Sequence, residues 1–165
     1  MRRASFEGMS CSVARSLEVI GEWWTLLIIR DAFFGVTRFE QFQERLGIAR
    51  NVLATRLETL VEHEVLERRC YDEARQRYDY LLTDKGKALW PVLTTLRQWG
   101  DEWIVGTGSA PVEMVHTSCG ARTHAELCCD GCGEKLYRRD LRMVAGPGLD
   151  DPDLLPTPTR FHSLA

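Results

Sequence analysis

The sequence predicts a mainly α-helical chain with a small β-wing and a short cysteine-rich β segment near its C-terminal end. Three observations lead to this fold class. Apolar residues recur at helical spacing over most of the chain before residue 104. The spacing becomes that of β-strands only in "VLERRCYD" and "YDYLLT". Four of the six cysteines and two of the four histidines fall in "HTSCGARTHAELCCDGCG", residues 116 to 133.

Two helices are predicted between residues 10 and 34. The apolar residues of the first fall on one face, namely Val13, Leu17 and Ile20. The second, "WWTLLIIRDAFF", is apolar nearly all round, which predicts burial in a core or an oligomer interface. Gly21 separates the two helices and Gly35 ends the second, since glycine readily adopts the backbone conformation that follows a helix.

A helix–turn–helix unit and a hairpin follow. A short helix carries Phe39, Phe42 and Leu46 on one face, and Gly47 breaks it. The segment "IARNVLATRLETLVEHE" then starts another helix, whose inward-facing residues are Leu53, Leu57, Leu60 and Val61. The two β-rich segments flank the polar turn "EARQR", which predicts a β-hairpin.

One long amphipathic helix is predicted after the hairpin, capped by Thr83 and Asp84 and continuing to Trp103. Its apolar residues are Leu89, Val92, Leu93, Leu96, Trp99 and Trp103. The order of elements is that of a winged helix–turn–helix with helical extensions on both sides. In that fold the second helix of the unit reads DNA and the hairpin forms the wing.

Four segments are predicted along the chain. Residues 1–105 form the winged helix–turn–helix domain, which carries DNA binding and dimerisation. Residues 106–112, "GTGSAP" and the following valine, form a linker. Residues 113–143 form the Cys/His segment, and the proline- and glycine-rich residues 144–165 form a flexible tail.

Composition and charge restrict the function. A hydrophobic content of 44% and a charged content of 27% are those of a globular protein. No apolar run approaches the roughly 20 residues of a membrane span, and no signal peptide is readable, so we expect a cytoplasmic protein without a membrane partner. The formal net charge of −3 means that DNA contacts must depend on local arginines. No acid–base pair, phosphate loop or triad spacing indicates an enzyme.

Several segments, in order, resemble the signature segments of the HxlR family of MarR-like bacterial transcription regulators. They are "CSVARSLEVIGEWWTLLIIRD", "RFEQFQERLGI", "NVLATRLETL", "VLERRCYDEARQRYDYLLTDKG" and "LWPVLTTLRQWGDEW", and they span residues 11 to 103. The resemblance implies a homodimer on a two-fold operator of double-stranded DNA, with the first and last helices at the dimer interface. It also implies that the cysteine at position 11 senses oxidants, quinones or aldehydes.

The chain departs from the family pattern at three places. Ser12 stands where the family usually has proline after the cysteine, and Arg75 lies where the wing commonly has a proline before its arginine. Ala49 replaces a serine at the start of the recognition helix. Loss of that hydroxyl removes a helix cap of about 1 kcal/mol and one phosphate contact, which Asn51 replaces in part.

The candidate DNA-binding residues lie on the recognition helix and the wing. The inward leucines leave Arg50, Asn51, Ala54 and Thr55 facing outward, and arginine and asparagine make bidentate contacts to guanine and adenine edges. Thr55 or Arg56 contacts either phosphate or the protein's own scaffold. At the hairpin tip, Arg75 and Arg77 are placed to reach the minor groove or the backbone. The alternative for both sets is an ordinary solvated surface.

Cys11 is the candidate redox-sensing residue. It falls at the predicted start of the first helix, with Arg15 one turn on, and both a helix N-terminus and a guanidinium stabilise a thiolate. The alternative is a half-buried small hydrophobic residue. Cys70 in the wing is most simply structural, although it is also a candidate second thiol for the dimer.

The Cys/His segment contains "HTSCG" and "CDGCG", in each of which a ligand precedes a cysteine and a glycine at the same spacing. This is the pattern of a zinc ribbon, with His116, Cys119, Cys129 and Cys132 as a closed tetrahedral site. Cys128 and His124 are then spare or alternative ligands. Reduced free thiols or a disulfide within the second motif remain open.

The sequence therefore predicts a dimeric DNA-binding transcription regulator, a repressor, which responds to an unknown small-molecule or oxidant effector and carries structural zinc. A second hypothesis is a zinc-responsive or scaffolding winged-helix protein. A third is a thiol–disulfide oxidoreductase using Cys129 and Cys132, although such a motif normally opens a helix beside a βαβ unit.

Overall fold

A computed structural model describes residues 5–6, 8–106 and 108–149. The chain divides into two units, Met1–Glu113 and Met114–Ala165. The predicted flexible tail lies largely outside the described residues. Its first part, residues 144–149, contains a turn but no helix or strand. In the part of the chain that is described, no helix has the length and apolar character needed to cross a membrane.

The first two helices are α1, Ser12–Ile20, and α2, Thr25–Phe33. Gly21 follows α1, and a Cβ atom there would lie 2.5 Å from the carbonyl oxygen of Leu17, so only glycine fits the turn. Ile28 and Ile29 of α2 are fully buried, whereas Trp23, before the helix, is 92% exposed. The predicted burial in a core is therefore confirmed for Ile28 and Ile29, and burial of Trp23 in an oligomer interface stays a prediction.

The helix–turn–helix unit consists of α3, Phe39–Leu46, and α4, Arg50–Glu62. Gly47 joins them with a left-handed backbone (φ 62°), which a side chain rarely adopts, so the predicted helix break is confirmed. Phe42 of α3 packs in one core with the leucines of α4 and the isoleucines of α2. This core fixes the orientation of α4.

Asp31 of α2 is a fully buried carboxylate within this domain. Its Oδ1 lies 2.8 Å from Nη2 of Arg30, and its Oδ2 accepts a hydrogen bond of 3.2 Å from Nε of Arg45 in α3. Two guanidiniums thus compensate the buried charge and join α2 to α3.

The wing is an antiparallel hairpin of β1, Leu66–Asp72, and β2, Arg77–Leu82. The β-hairpin predicted from the sequence is confirmed, and Arg77 belongs to the second strand rather than to the turn. A single β-bridge pairs Arg38 with Asp79, and the Thr37 hydroxyl donates a 2.8 Å hydrogen bond to Asp79. The wing is therefore attached to the start of α3.

The prediction of one long helix after the wing is wrong, because the helix is interrupted. The structure has α5, Asp84–Lys87, then α6, Trp90–Gly100, and a π-helical turn, Asp101–Val105. Pro91 has no N–H to donate to the preceding turn, which accounts for the break. Thr83 caps α5 as predicted, accepting from the Gly86 amide at 3.1 Å. Gly86 itself packs so closely on the wing that a Cβ would meet the Val65 carbonyl oxygen at 2.2 Å.

The C-terminal unit contains little regular structure. Its described part has β3, Met114–Val115, paired with β4, Arg122–Thr123, and a 3₁₀ turn at Arg138–Asp140. None of the residues from 114 to 149 is buried.

Candidate DNA-binding surface

The outer face of α4 is fixed by its inner face. Leu53, Leu57 and Leu60 are almost completely buried in the core. Because a helix repeats every 3.6 residues, Asn51, Ala54 and Thr55 lie roughly 100–160° around the helix from Leu53 and face away from the core. Arg50 lies on the same side as the leucines but at the first position of the helix, beyond the core, and it is exposed like the other three.

Arg50 is held in a defined position at the start of α4. Its guanidinium carbon lies 4.7 Å from the centre of the Phe39 ring, at the start of α3. An exposed cation–π contact of this kind contributes about 0.5–1 kcal/mol. The contact limits the freedom of the Arg50 side chain before any ligand binds, while Asn51 beside it stays exposed.

The cap of α4 is weak. Ala49 is the N-cap residue with an extended backbone, and no side-chain hydrogen bond caps the helix. Further along, the Thr55 hydroxyl donates to the Asn51 carbonyl oxygen at 3.0 Å. The Thr55 hydroxyl is therefore engaged with its own helix, and it would have to leave this hydrogen bond to donate to a phosphate oxygen.

Arg56 lies against the protein's scaffold. Its Nη2 is 3.3 Å from Oε2 of Glu22, and only 23% of its side chain is exposed. Of the two roles considered for Arg56 from the sequence, the geometry favours the structural one, since the ion pair ties α4 to the connection between α1 and α2.

The wing tip presents two arginines. The turn is closed by a hydrogen bond of 3.1 Å from the Arg75 amide to Asp72, and Gln76 adopts a left-handed backbone (φ 51°). Arg75 and Arg77 on either side are exposed, and neither forms an ion pair with the described residues. Both guanidiniums are thus available to a phosphate or a groove.

Arg38 is a candidate that the sequence reasoning missed. Its guanidinium lies 4.6 Å from the centre of the Tyr71 ring and 3.6 Å from Asp79, both in the wing. About half of the side chain is still exposed. In the sequence, the only signal for this role is that Arg38 directly precedes α3, in "TRFEQ". Its two partners in the wing are 33 and 41 positions further along the chain, so only the fold reveals these contacts.

Cys11 lies where the sequence predicts, at the N-cap of α1. It is exposed, and its carbonyl oxygen accepts the first helical hydrogen bond, from the Arg15 amide at 3.0 Å. Cys70 in β1 is also exposed, opposite Tyr78. Both thiols are therefore accessible to solvent in the chain by itself.

The four predicted zinc ligands form two pairs. His116 Nδ1 lies 3.3 Å from Cys119 Sγ, and Cys129 is hydrogen-bonded to Cys132. Within the described residues no three histidine, cysteine or acidic side chains are gathered within reach of one ion. Cys129 and Cys132 lie in a turn and do not open a helix, which is the arrangement expected for a knuckle and not for a dithiol oxidoreductase.

The comparisons with known proteins agree on one family. The family model described as HxlR-like helix-turn-helix matches residues 19–107. An uncharacterized HTH-type transcriptional regulator of Mycobacterium tuberculosis is 43% identical over 143 residues, covering 87% of this chain and 89% of that protein. Since only 113 residues precede Met114, at least 30 of those matched positions lie in the C-terminal unit.

Two solved structures share the fold. The crystal structure of PA1607, assigned as a transcription factor, has a TM-score of 0.76 and 40% identity, covering 87% of this chain and 100% of that chain. The redox regulator HypR in its reduced form has a TM-score of 0.52 and 26% identity, covering 55% of this chain and 91% of that chain. These relatives are transcription regulators and not enzymes. The resemblance predicted from the sequence is confirmed, and the chain belongs to the HxlR-like helix-turn-helix family of transcription regulators.

Proposed function

We propose that the chain is a cytoplasmic, homodimeric regulator that represses transcription by binding a two-fold DNA operator. The observation that carries this proposal is the pair Arg50 and Asn51, exposed on the first turn of a helix whose leucines are buried in the core. These side-chain types read guanine and adenine in the major groove. A dimer that covers two half-sites blocks the access of polymerase to an overlapping promoter, which is why we assign repression.

The wing supplies the part of the affinity that does not depend on sequence. Arg75 and Arg77 carry positive charge at the tip of the hairpin, and Arg38 lies beside the strands, against Tyr71 and Asp79. On a chain with a net charge of −3, such local charge must attract the phosphates. Arg77→Ala should therefore weaken binding to all DNA sequences and reduce the salt dependence by about one unit of slope.

A second copy of the chain is the partner that fits the apolar surface of α1 and α6. On α6, Val92, Leu96 and Trp99 are exposed on one helical stripe, which Trp103 continues into the π-helical turn, and on α1 Val13 and Leu17 are exposed. A monomer rarely leaves so many large apolar side chains exposed at helical spacing. A two-fold axis would pair this surface with itself and place two copies of α4 toward successive major grooves.

Cys11 is the proposed sensor of oxidants. The support is its exposed position at the start of α1, beside the proposed dimer surface, and the fold shared with the redox regulator HypR. An oxidant of the diamide class takes two electrons and two protons from Cys11 and a second thiol as the S–S bond forms. A bond of this kind at α1 would shift the helix that sets the spacing between the two recognition helices.

The test is binding of the purified full-length chain to the DNA upstream of its own gene, measured by fluorescence anisotropy at fixed salt. We expect a specific complex with two chains per site, at least about a thousandfold tighter than the complex with a shuffled sequence. The same comparison is then made for a genome-wide selection of fragments. If no fragment binds more tightly than its shuffled sequence, the proposed function is wrong and the scaffolding role replaces it.

A further inference from the structure

Two turns of the C-terminal unit have the same backbone hydrogen bonds. In the first, the His116 amide donates to the Ala121 carbonyl at 2.9 Å, and the Gly120 amide donates to the His116 carbonyl at 2.8 Å. In the second, the Cys129 amide donates to the Glu134 carbonyl at 2.8 Å, and the Gly133 amide donates to the Cys129 carbonyl at 2.8 Å. The donor and acceptor positions are the same in both turns.

Glycine completes each turn at the equivalent place. Gly120 has φ +71° and Gly133 has φ +78°, a left-handed conformation that residues with a side chain rarely adopt. Each glycine directly follows a cysteine, Cys119 or Cys132. The spacing noted in the sequence is thus matched by two copies of one backbone structure.

The side chains at the ends of each turn converge. His116 Nδ1 and Cys119 Sγ are 3.3 Å apart in the first turn. In the second, the backbone amides of Cys132 and Gly131 and the Cys132 side chain hydrogen-bond to the Cys129 sulfur. Backbone N–H groups aimed at a sulfur are the stabilisation that a metal-bound thiolate requires.

Between residues 114 and 149, the described part of the C-terminal unit has no core of its own. No residue from 114 to 149 is buried, its two strands are two residues long, and Leu127, Tyr137 and Met143 are 64%, 45% and 63% exposed. Small units without buried apolar residues usually need a metal, disulfides or a partner to compensate for the missing core.

We propose that this unit binds one Zn²⁺ through His116, Cys119, Cys129 and Cys132. One nitrogen and three sulfur donors are the ligands that tetrahedral zinc prefers, and four protein ligands leave no open position, which makes the site structural. The ligands of each turn lie together, but the two turns are not gathered around one point. Binding of the ion would bring the two turns together, and the free energy of binding would then stabilise the fold of the unit. Expected bond lengths are about 2.3 Å to sulfur and about 2.0–2.1 Å to nitrogen.

Cys128 and His124 provide matched controls because they lie outside the turns. Cys128 pairs with Lys135 in an isolated β-bridge just before the second turn. His124 follows β4, beyond the first turn. Each control removes the same chemical group as a proposed ligand.

The test begins with the full-length chain purified in reductant without chelator, with metal measured by inductively coupled plasma mass spectrometry. We expect about one zinc per chain in the parent, Cys128→Ser and His124→Ala, and at least a fivefold loss in Cys119→Ser and Cys132→Ser. Absence of zinc from the parent even after incubation with Zn²⁺, or equal loss in Cys128→Ser, would overturn the proposal.

Cobalt substitution of the parent tests the ligands without any variant. Tetrahedral Co²⁺ bound by three thiolates should show intense visible bands and a sulfur-to-cobalt charge-transfer band, both absent from Cys119→Ser. Amide hydrogen exchange after metal removal should accelerate between residues 114 and 149 and stay unchanged in α3 and α4. Octahedral cobalt spectra, or exchange that does not respond to the metal, would contradict a structural zinc site whether or not the chain binds DNA.

Discussion

Restoring a hydroxyl at the start of α4 is expected to stabilise the protein. Ala49 already has the extended backbone of an N-cap (φ −62°, ψ 138°), and its carbonyl oxygen accepts from the Leu53 amide at 3.0 Å. Serine therefore needs no backbone movement to accept from an amide of the first turn. The gain should be about 1 kcal/mol in the free energy of unfolding. In a cooperative unit of about 100 residues this raises Tm by roughly 4–8 °C.

The control uses the same substitution in the same helix. Ala54 is exposed in the middle of α4, where serine replaces the best helix former, so Ala54→Ser should lower stability by about 0.5 kcal/mol. Urea denaturation followed by circular dichroism compares the two variants with the parent. If Ala49→Ser is no more stable than the parent, α4 does not begin where the structure places it. In DNA binding, Ala49→Ser should gain affinity with an unchanged salt slope, because the hydroxyl is neutral.

Three further predictions concern the core, the dimer and the thiol. Arg45→Ala leaves the buried Asp31 carboxylate with one guanidinium instead of two and should cost about 1–3 kcal/mol of stability by urea denaturation; an unchanged midpoint would show that the ion pair contributes nothing. Leu96→Asp places a charge in the apolar stripe and should convert a dimer to a monomer by light scattering at micromolar concentration, and a parent that is itself monomeric would refute the dimer. Diamide should reduce DNA affinity about five- to 150-fold in the parent and in Cys70→Ala, but not in Cys11→Ser. An equal loss of affinity in all three proteins would show that another thiol is the sensor.

The helix–turn–helix and the wing could be predicted from the sequence because local signals and the fold agree there. Gly47 ends α3 in the left-handed conformation expected of a helix-ending glycine, and the change of spacing at residues 65–82 gives the hairpin. The outward placement of Asn51, Ala54 and Thr55 followed from the leucines of α4, since burial of one helical face determines the other. Arg50 lies on the side of the leucines and is exposed because it starts the helix. These are properties of short segments, which a sequence displays directly.

Contacts between distant segments could not be predicted. The sequence does not show that Asp31 is buried, because its partner Arg45 lies 14 residues later and reaches it from α3. The interaction of Arg56 with Glu22 and the stacking of Arg38 on Tyr71 likewise depend on how helices and wing are packed. The break before α6 was missed although Pro91 was visible, because proline is tolerated in a first helical turn and the apolar spacing continues across it.

The most direct test of the account is the DNA affinity of the double variant Arg50→Ala, Asn51→Ala. The control is Arg142→Ala in the C-terminal unit, which removes the same amount of positive charge. Affinities for the operator and for a shuffled sequence are measured by fluorescence anisotropy at one salt concentration. We expect the double variant to lose at least about 30-fold on the operator while its binding to shuffled DNA changes little, and Arg142→Ala to bind as the parent does. Parent-like operator binding by the double variant would mean that the exposed face of α4 does not read the DNA.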